Sequence, residues 1–488
     1  MKSIAKLTAV GLILALAGLA SAASTLGTDI SGNVGDAGVA THWTKAGSPY
    51  HLKGQIFVLP GATLTIDAGV VVASYKADGG SLAVCKGARI YVNGTKDEPV
   101  IMTSAEDVAT WTGSAVTRTI PVPADANYPS GYVSDMSALG SSKSGTWRAV
   151  CNEWGNLTLM GNALISCSKF KGATVTAPSG RVNTAYPDGL NQHNMEGFSG
   201  DLVGDTKIWY GGNDDNDNSG SISYLSLRYG GKVIGLGDEL NGMSMGGIGR
   251  ATNVDHVEIM NNVDDGIETW GGTVNYKYIS VWNIGDDSLD IDEGWRGKAQ
   301  FILIVQGYSA NAGQGSGIGD NCFEMDGAED SDAQPLTTGK IYNATVIGQI
   351  VAGDQGTAWR DNCRMQFRNC LFMYLGEKLV KNDNVDGDGA HGYGFEYSPG
   401  LFTMTWAATW TTDWNVRPIP NAILPVPAAG VFNNPDVLYP VQTDGKLAEM
   451  TDSLFYENPN GAYSTSDSVG VTVSGGSNAA KNNVVQVY

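Results

Sequence analysis

Asp264-Asp265-Gly266-Ile267-Glu268-Thr269-Trp270 and Asp286-Asp287-Ser288-Leu289-Asp290-Ile291-Asp292 are two versions of one pattern, 22 residues apart. Asn321-Cys322-Phe323-Glu324-Met325-Asp326-Gly327 is a looser third copy. In each, a turn-forming pair leads into a few residues that alternate apolar and polar. A period near 22 made of short strands and turns is the sequence signature of a β-solenoid, one coil per repeat. Stacked coils lie about 4.8 Å apart, so residues at matching positions become columns. Alternation assigns Ile267, Thr269, Leu289, Ile291, Phe323 and Met325 to the core. It turns Glu268, Trp270, Asp290, Asp292, Glu324 and Asp326 outward, as a candidate ligand-binding face with an aromatic ring for a sugar to stack on. Carboxylates in such a column need a cation, a proton or open water.

The same rhythm extends on either side. Residues 54–104 hold short strands such as Gln55-Ile56-Phe57-Val58 and Leu64-Thr65-Ile66, separated by Pro60-Gly61, Asp67-Ala68-Gly69 and Asn93-Gly94 turns. It is clearest between 208 and 372. Residues 105–146 and 172–200 lose it and read as loop insertions, and the Gly-rich stretch 310–319 reads as a bulge beside the acidic face. The expected organisation is all-β: a β-solenoid over 23–400 with loop excursions. An irregular C-terminal region follows over 401–488, capping an end that would otherwise invite edge-to-edge association.

Residues 1–22 fit a secretory signal peptide, with Lys2 and Lys6, an apolar run and Ala20-Ser21-Ala22. The run is short for a membrane span. The expected location is secreted or on a bacterial cell surface. A net charge of −20 disfavours nucleic acid and anionic membranes as partners. It leaves glycans, cell-surface components, cations or copies of the chain itself. Six cysteines, at 85, 151, 167, 322, 363 and 370, permit disulfides in an exported chain, with Cys363/Cys370 and Cys151/Cys167 nearest in sequence. Inward-stacked thiols are the equal alternative.

Several stretches together resemble a family of secreted bacterial β-helix proteins of the pectate-lyase-like kind. They are Gly61-Ala62-Thr63-Leu64-Thr65-Ile66, Tyr210-Gly211-Gly212-Asn213-Asp214-Asp215, Asp265-Gly266-Ile267-Glu268 and the run from Asp286-Asp287-Ser288 to Gly294-Trp295-Arg296-Gly297. The resemblance covers roughly residues 54–327 and implies a right-handed parallel β-helix, with little about an activity. A weaker resemblance is to polygalacturonases. Asn262-Val263-Asp264-Asp265-Gly266 is similar to their Asn-Thr-Asp-Gly element and Gly285-Asp286-Asp287 to their Gly-Asp-Asp element. That resemblance implies catalytic roles for Asp265, Asp286 and Asp287. Their Gly-His-Gly element has Gln314 here in place of His, and no counterpart of their Arg-Ile-Lys clamp is present.

The turn acids Asp264, Asp265, Asp286 and Asp287 thus have three readings: capping of turns, ligation of calcium, a hard cation taking six to eight oxygens, or catalysis. For inverting hydrolysis, Asp265 and Asp287 on neighbouring coils would stand roughly 6.5–9.5 Å apart. Asp214-Asp215-Asn216-Asp217-Asn218 and Asp383-Asn384-Val385-Asp386-Gly387-Asp388 are further acidic loops, solvated or cation-binding. The function expected first is an exported structural or adhesive protein stabilised by calcium. A carbohydrate-binding or carbohydrate-degrading hydrolase or lyase and a self-assembling surface or filament subunit are the alternatives.

Overall fold

The computed structural model describes residues 27–109 apart from 36–39, 150–166, 192–198, 205–307 apart from 236–237, 319–327, most of 337–382, most of 439–458, and 482–486. It also describes a short antiparallel strand pair at 119–121 and 133–135. The signal segment, Cys167, Gln314 and the acidic loop 383–388 lie outside these residues.

Two large parallel sheets form the body. A nine-stranded sheet runs from Gln55–Val58 to Val380–Asn382 and includes Ile267–Trp270, Leu289–Asp292 and Phe323–Met325. A 17-stranded sheet holds the longer strands, among them Asn253–Asn262, Asn275–Ile284 and Lys298–Val305. The chain returns to each sheet once per coil, and some coils give the larger sheet two short strands, such as Thr63–Ile66 and Val71–Ser74, in place of one long strand. Parallel neighbours joined this way cross over with a right hand, and the fold is a right-handed parallel β-helix.

The register follows the repeat. Ile267 pairs with Leu289 and Leu289 with Phe323; Glu268 pairs with Asp290 and Asp290 with Glu324. Ile267, Leu289, Phe323, Ile291 and Met325 are all buried inside the helix. Thr269 stays inside because its hydroxyl bonds the buried Tyr276 hydroxyl at 2.6 Å, which satisfies both groups where water is absent.

The 17-stranded sheet bends once per coil. Tyr224, His256, Tyr278, Phe301 and Asn343 each take a left-handed backbone there, with φ of 51°, 51°, 58°, 60° and 58°. Pairing skips the bend residue: Asp255 pairs with Lys277, and the next pair is Val257 with Ile279. Asn suits this conformation, whereas a ring costs about 1–2 kcal/mol. The four rings stack at 4.1, 4.4 and 5.0 Å between centroids, which returns about 0.5–1.5 kcal/mol per pair.

Three expectations change. The helix does not end at 400: Glu449–Thr451, Leu454–Tyr456 and Val484–Gln486 continue the parallel sheet. The apolar alternation in these strands is too short to be read against the Pro- and Trp-rich sequence before them. A Cys363/Cys370 bridge is not made, because Cys370 is a buried free thiol in the core. Part of the predicted loop 172–200 is instead ordered as a strand pair, His193–Asn194 with Trp209–Tyr210. Met195, Phe198, Ile208 and Tyr210 pack from it onto Phe57, Ala83, Cys85, Met160 and Trp270 of the nine-stranded sheet.

Phe323 is fully buried and meets Phe367 and Phe372 edge-on. Phe323→Ala should therefore destabilise the protein by about 3–5 kcal/mol, read as a lowered denaturant midpoint. Loss of less than about 1 kcal/mol, the scale of an ordinary substitution, would contradict the core assignment.

Candidate functional site: an acidic column on the nine-stranded sheet

A ladder of side chains precedes the acidic strands. The Asn241 Oδ1 accepts the Asp265 backbone N–H at 3.2 Å, and the Asp265 Oδ1 accepts the Asp287 N–H at 2.9 Å. The Asp287 Oδ1 in turn accepts the Asn321 N–H. Four successive coils are thus tied at one turn position. Capping is a genuine role of Asp265 and Asp287, although each caps the coil above rather than its own turn. The Asn241 rung shows that a neutral amide performs this task. The acidity at 265 and 287 is therefore surplus to the ladder.

Those meetings are close. Asp264, Asp265 and Asp286 each place a carboxylate oxygen within 4.8 Å of the others, as do Asp265, Glu268 and Asp290, and Asp286, Asp287 and Asp320. Asp265, Glu268 and Asp287 are buried, while Asp264, Asp286, Asp290, Asp320 and Glu324 are half-buried. Burial, then Glu196 and Glu239 nearby, pushes Asp264 up to about 7. Burial, then Asp264 and Asp320, does the same to Asp286, also to about 7. Asp265, Glu268, Asp287, Asp290 and Asp326 are raised well above the carboxylate range, chiefly by burial and then by their acidic neighbours. Glu324 goes the other way: burial opposes its charge, but a hydrogen bond from Asp287 and the Arg360 guanidinium outweigh it. Arg360 pairs with Glu324 and lies 3.4 Å from Asp326. Asp290 Oδ1 and Asp326 Oδ1 are buried without a hydrogen-bond partner.

The outward face is not open along its whole length. Trp270 is 5% exposed, packed beneath the 193–210 strand pair with its ring 6.2 Å from Tyr210. It offers no platform to a sugar, because the strand pair already covers it. Beside it, the buried Glu293 accepts from the Tyr210 hydroxyl at 2.9 Å and bonds His193 Nδ1 at 2.8 Å, which fastens the cover to the helix. Glu268 and Asp290 share a hydrogen bond next along the column. Asp292 continues the Trp270 column, with Asp326 one coil further on.

Asp265 and Asp287 stand one coil apart, at about 4.8 Å by strand spacing. That is the backbone spacing, and it falls below the roughly 6.5–9.5 Å that separates the carboxyls of an inverting pair. Asp215 in the 214–218 loop is a staple: it binds buried Arg296 at 2.6 and 2.7 Å and the Leu164 N–H at 3.2 Å. Sequence reasoning missed Asp320, Arg360 and Asn241. Asp320 was legible, since Asp320-Asn321 repeats Asp286-Asp287 one rung later, but a 34-residue gap breaks the period there. Arg360 carries no local signal, because only stacking brings it beside Glu324.

A model of pectate-lyase-like β-helix domains matches residues 39–137 and 188–392, well over half of the chain. The chain belongs to that family. The second matched stretch contains Ile267–Trp270, Leu289–Asp292 and Phe323–Met325, so the acidic column lies wholly within the pectate-lyase-like domain. No curated protein and no solved structure matches the chain. No helix among the described residues is long and apolar enough to cross a membrane.

The raised carboxyls set a pH dependence. Between the ordinary range near 4 and about 7, the folded state holds protons that the unfolded chain has released. Stability must then fall as pH rises through that window. In excess chelator, the melting temperature should drop steadily from about pH 5 to about pH 8 across this window. A melting temperature that is flat or rises over that range would contradict the assignment.

Proposed function

We propose that this pectate-lyase-like protein is an exported structural or adhesive β-helix whose acidic column takes up divalent cations, calcium foremost. The observation that carries the reading is the overlap of three carboxylate triads, each with oxygens within 4.8 Å of one another. Calcium binds oxygens at about 2.3–2.6 Å, so two ligands on opposite sides of one ion are separated by about that span. Asp264, Asp265, Asp286, Asp287 and Asp320 supply the hard, charged donors that calcium prefers. Glu268 and Asp290 extend the set along the column. Bound cations would replace the protons these acids otherwise hold and relieve the repulsion between coils. A surface so loaded suits an acidic glycan or another acidic cell-surface component, bridged through the ion.

The alternative of hydrolysis finds less support, since Gln314 stands in place of the His of the polygalacturonase Gly-His-Gly element. The reading is compatible with the ladder, because each capping carboxylate has a second oxygen beside the one that caps.

Two measurements test this. A ligand at 100 times its dissociation constant stabilises by about 2.7 kcal/mol. Calcium should therefore raise the melting temperature of chelator-treated protein, and calorimetry should detect binding that Asp264→Asn with Asp286→Asn weakens at least tenfold. An unchanged melting temperature, with no metal in elemental analysis, would remove the claim. Incubation with polygalacturonate should release no reducing ends. Release that Asp287→Asn abolishes would replace the structural reading with an enzymatic one.

A further inference from the structure

The ladder that ties the coils together is interrupted at its C-terminal, or upper, end. Asn241, Asp265 and Asp287 each lend a side-chain oxygen to a backbone N–H of the next coil. Asn321 stands on the following rung, bridged to Gln355 of the coil beyond. The Gln355 N–H, however, goes to the Asp320 carbonyl at 3.0 Å. The Asn321 Oδ1 therefore accepts no hydrogen bond, and neither does the Gln355 Oε1. Asn321 is 2% exposed and Gln355 4%. Two amide oxygens are thus withdrawn from water without a donor, an arrangement that calls for a specific cause.

These oxygens belong to the turn that holds the upper carboxylate triad. Asp286, Asp287 and Asp320 each bring an oxygen within 4.8 Å of the others. The Asp320 N–H bonds the Asp286 carbonyl at 2.9 Å, and the Asn321 N–H bonds the Asp287 side chain. The pair 320–321 therefore repeats the pair 286–287 one coil on. In the lower pair both side chains reach the triad, although they are neighbours in sequence. Asn321 is the counterpart of Asp287, so the same turn carries its amide toward the same column. Gln355 follows at about 4.8 Å by strand spacing. The lower triad has no such supply from Asn241, which gives its Oδ1 to Asp265 and its Nδ2 to Glu268.

We propose that Asn321 and Gln355 complete a calcium site with Asp286, Asp287 and Asp320, and that this site fills before the triad of Asp264, Asp265 and Asp286. The inference rests on the cation reading of the column and adds to it the neutral ligands, the order of filling and the choice of ion. One oxygen from each of three carboxylates falls short of the six to eight that calcium takes, and amide carbonyls are among its usual donors. Neutral oxygens also add coordination without adding like charge beside Glu324, which already bonds Asp287. Asp286 belongs to both triads, so an ion held at the upper one takes a ligand from the lower. Size selects the ion. Opposite ligands of calcium, at about 2.3–2.6 Å each, span about 4.6–5.2 Å, which matches coils about 4.8 Å apart. Magnesium holds its ligands at about 2.0–2.1 Å in strict octahedral order, about 4.1 Å across, and would need the coils drawn together.

Calorimetric titration of the chelator-treated full chain with calcium chloride, and separately with magnesium chloride, tests this. The wild type should bind calcium at least tenfold more tightly than magnesium. Asn321→Leu and Gln355→Met keep the size of each side chain and delete the amide oxygen. Each should weaken the tightest calcium binding at least tenfold. Without metal, both variants should melt no lower than the wild type, since a buried oxygen without a donor has been replaced by an apolar group of like shape. A residue that merely shaped the turn would lower melting with or without metal. Asn321→Asp keeps an oxygen in place and should bind calcium no more weakly than the wild type, and it decides the matter together with Gln355→Met should Asn321→Leu not fold. Asp320→Ala should weaken the tightest binding more than Asp264→Ala does; the reverse order overturns the sequence of filling. Folded Asn321→Leu and Gln355→Met chains that bind calcium as the wild type does, where Asp286→Asn with Asp287→Asn weakens it, overturn the amide ligands and leave the cation reading standing. Magnesium bound as tightly as calcium overturns the choice of ion. A wild type that binds neither metal overturns both this inference and the reading beneath it.

Discussion

Coils stacked in register turn each repeated residue into a column, and this constraint governs both the stability and the chemistry of the molecule. Where the repeated residue is apolar, as with Ile267, Leu289 and Phe323, the column is a continuous core. Where it is an acid, as with Glu268, Asp290 and Glu324, the same spacing brings like charges together at about 4.8 Å. At that range in a partly desolvated setting, repulsion amounts to several kcal/mol unless something offsets it. The protein offsets part of it with Arg360 against Glu324 and Asp326, and part by protons shared between carboxyls. The remainder is the repulsion that a bound cation would relieve in the proposed reading.

The ladder at 241, 265, 287 and 321 separates structural need from chemical character. Backbone N–H groups at these turns must find acceptors, and an Asn or an Asp oxygen serves equally. Replacing the amide with a carboxyl on two central rungs changes nothing in the capping and adds an ionisable group to a buried place. The bend rings make the parallel point on the other sheet, where Asn343 supplies the backbone requirement and four coils exceed it. In both cases one coil shows the least the fold requires, and its neighbours carry something more.

Much of this was legible in the sequence. The offset of Ile267 from Leu289 gave register, core and outward columns, because period two within a strand and 22 between coils leave one consistent stacking. The sequence did not reveal what lies over a column. Trp270 looked exposed because alternation turns it outward, yet the strand pair built from 193–194 and 209–210 covers it. Nor did it reveal contacts across broken periods: Asp320 follows a 34-residue gap, and Arg360 reaches Glu324 only through stacking. Insertions between coils conceal neighbours from the sequence, while the coils themselves declare theirs.

The account depends on the acids being close enough to bind a cation together. A crystal of the protein grown with calcium, measured at a wavelength where calcium scatters anomalously, tests that most directly. The account predicts an anomalous peak between Asp264, Asp265 and Asp286 or between Asp286, Asp287 and Asp320, with carboxylate oxygens at about 2.3–2.6 Å. A clear map with no peak there, and the carboxyls bonded only to one another, would contradict it.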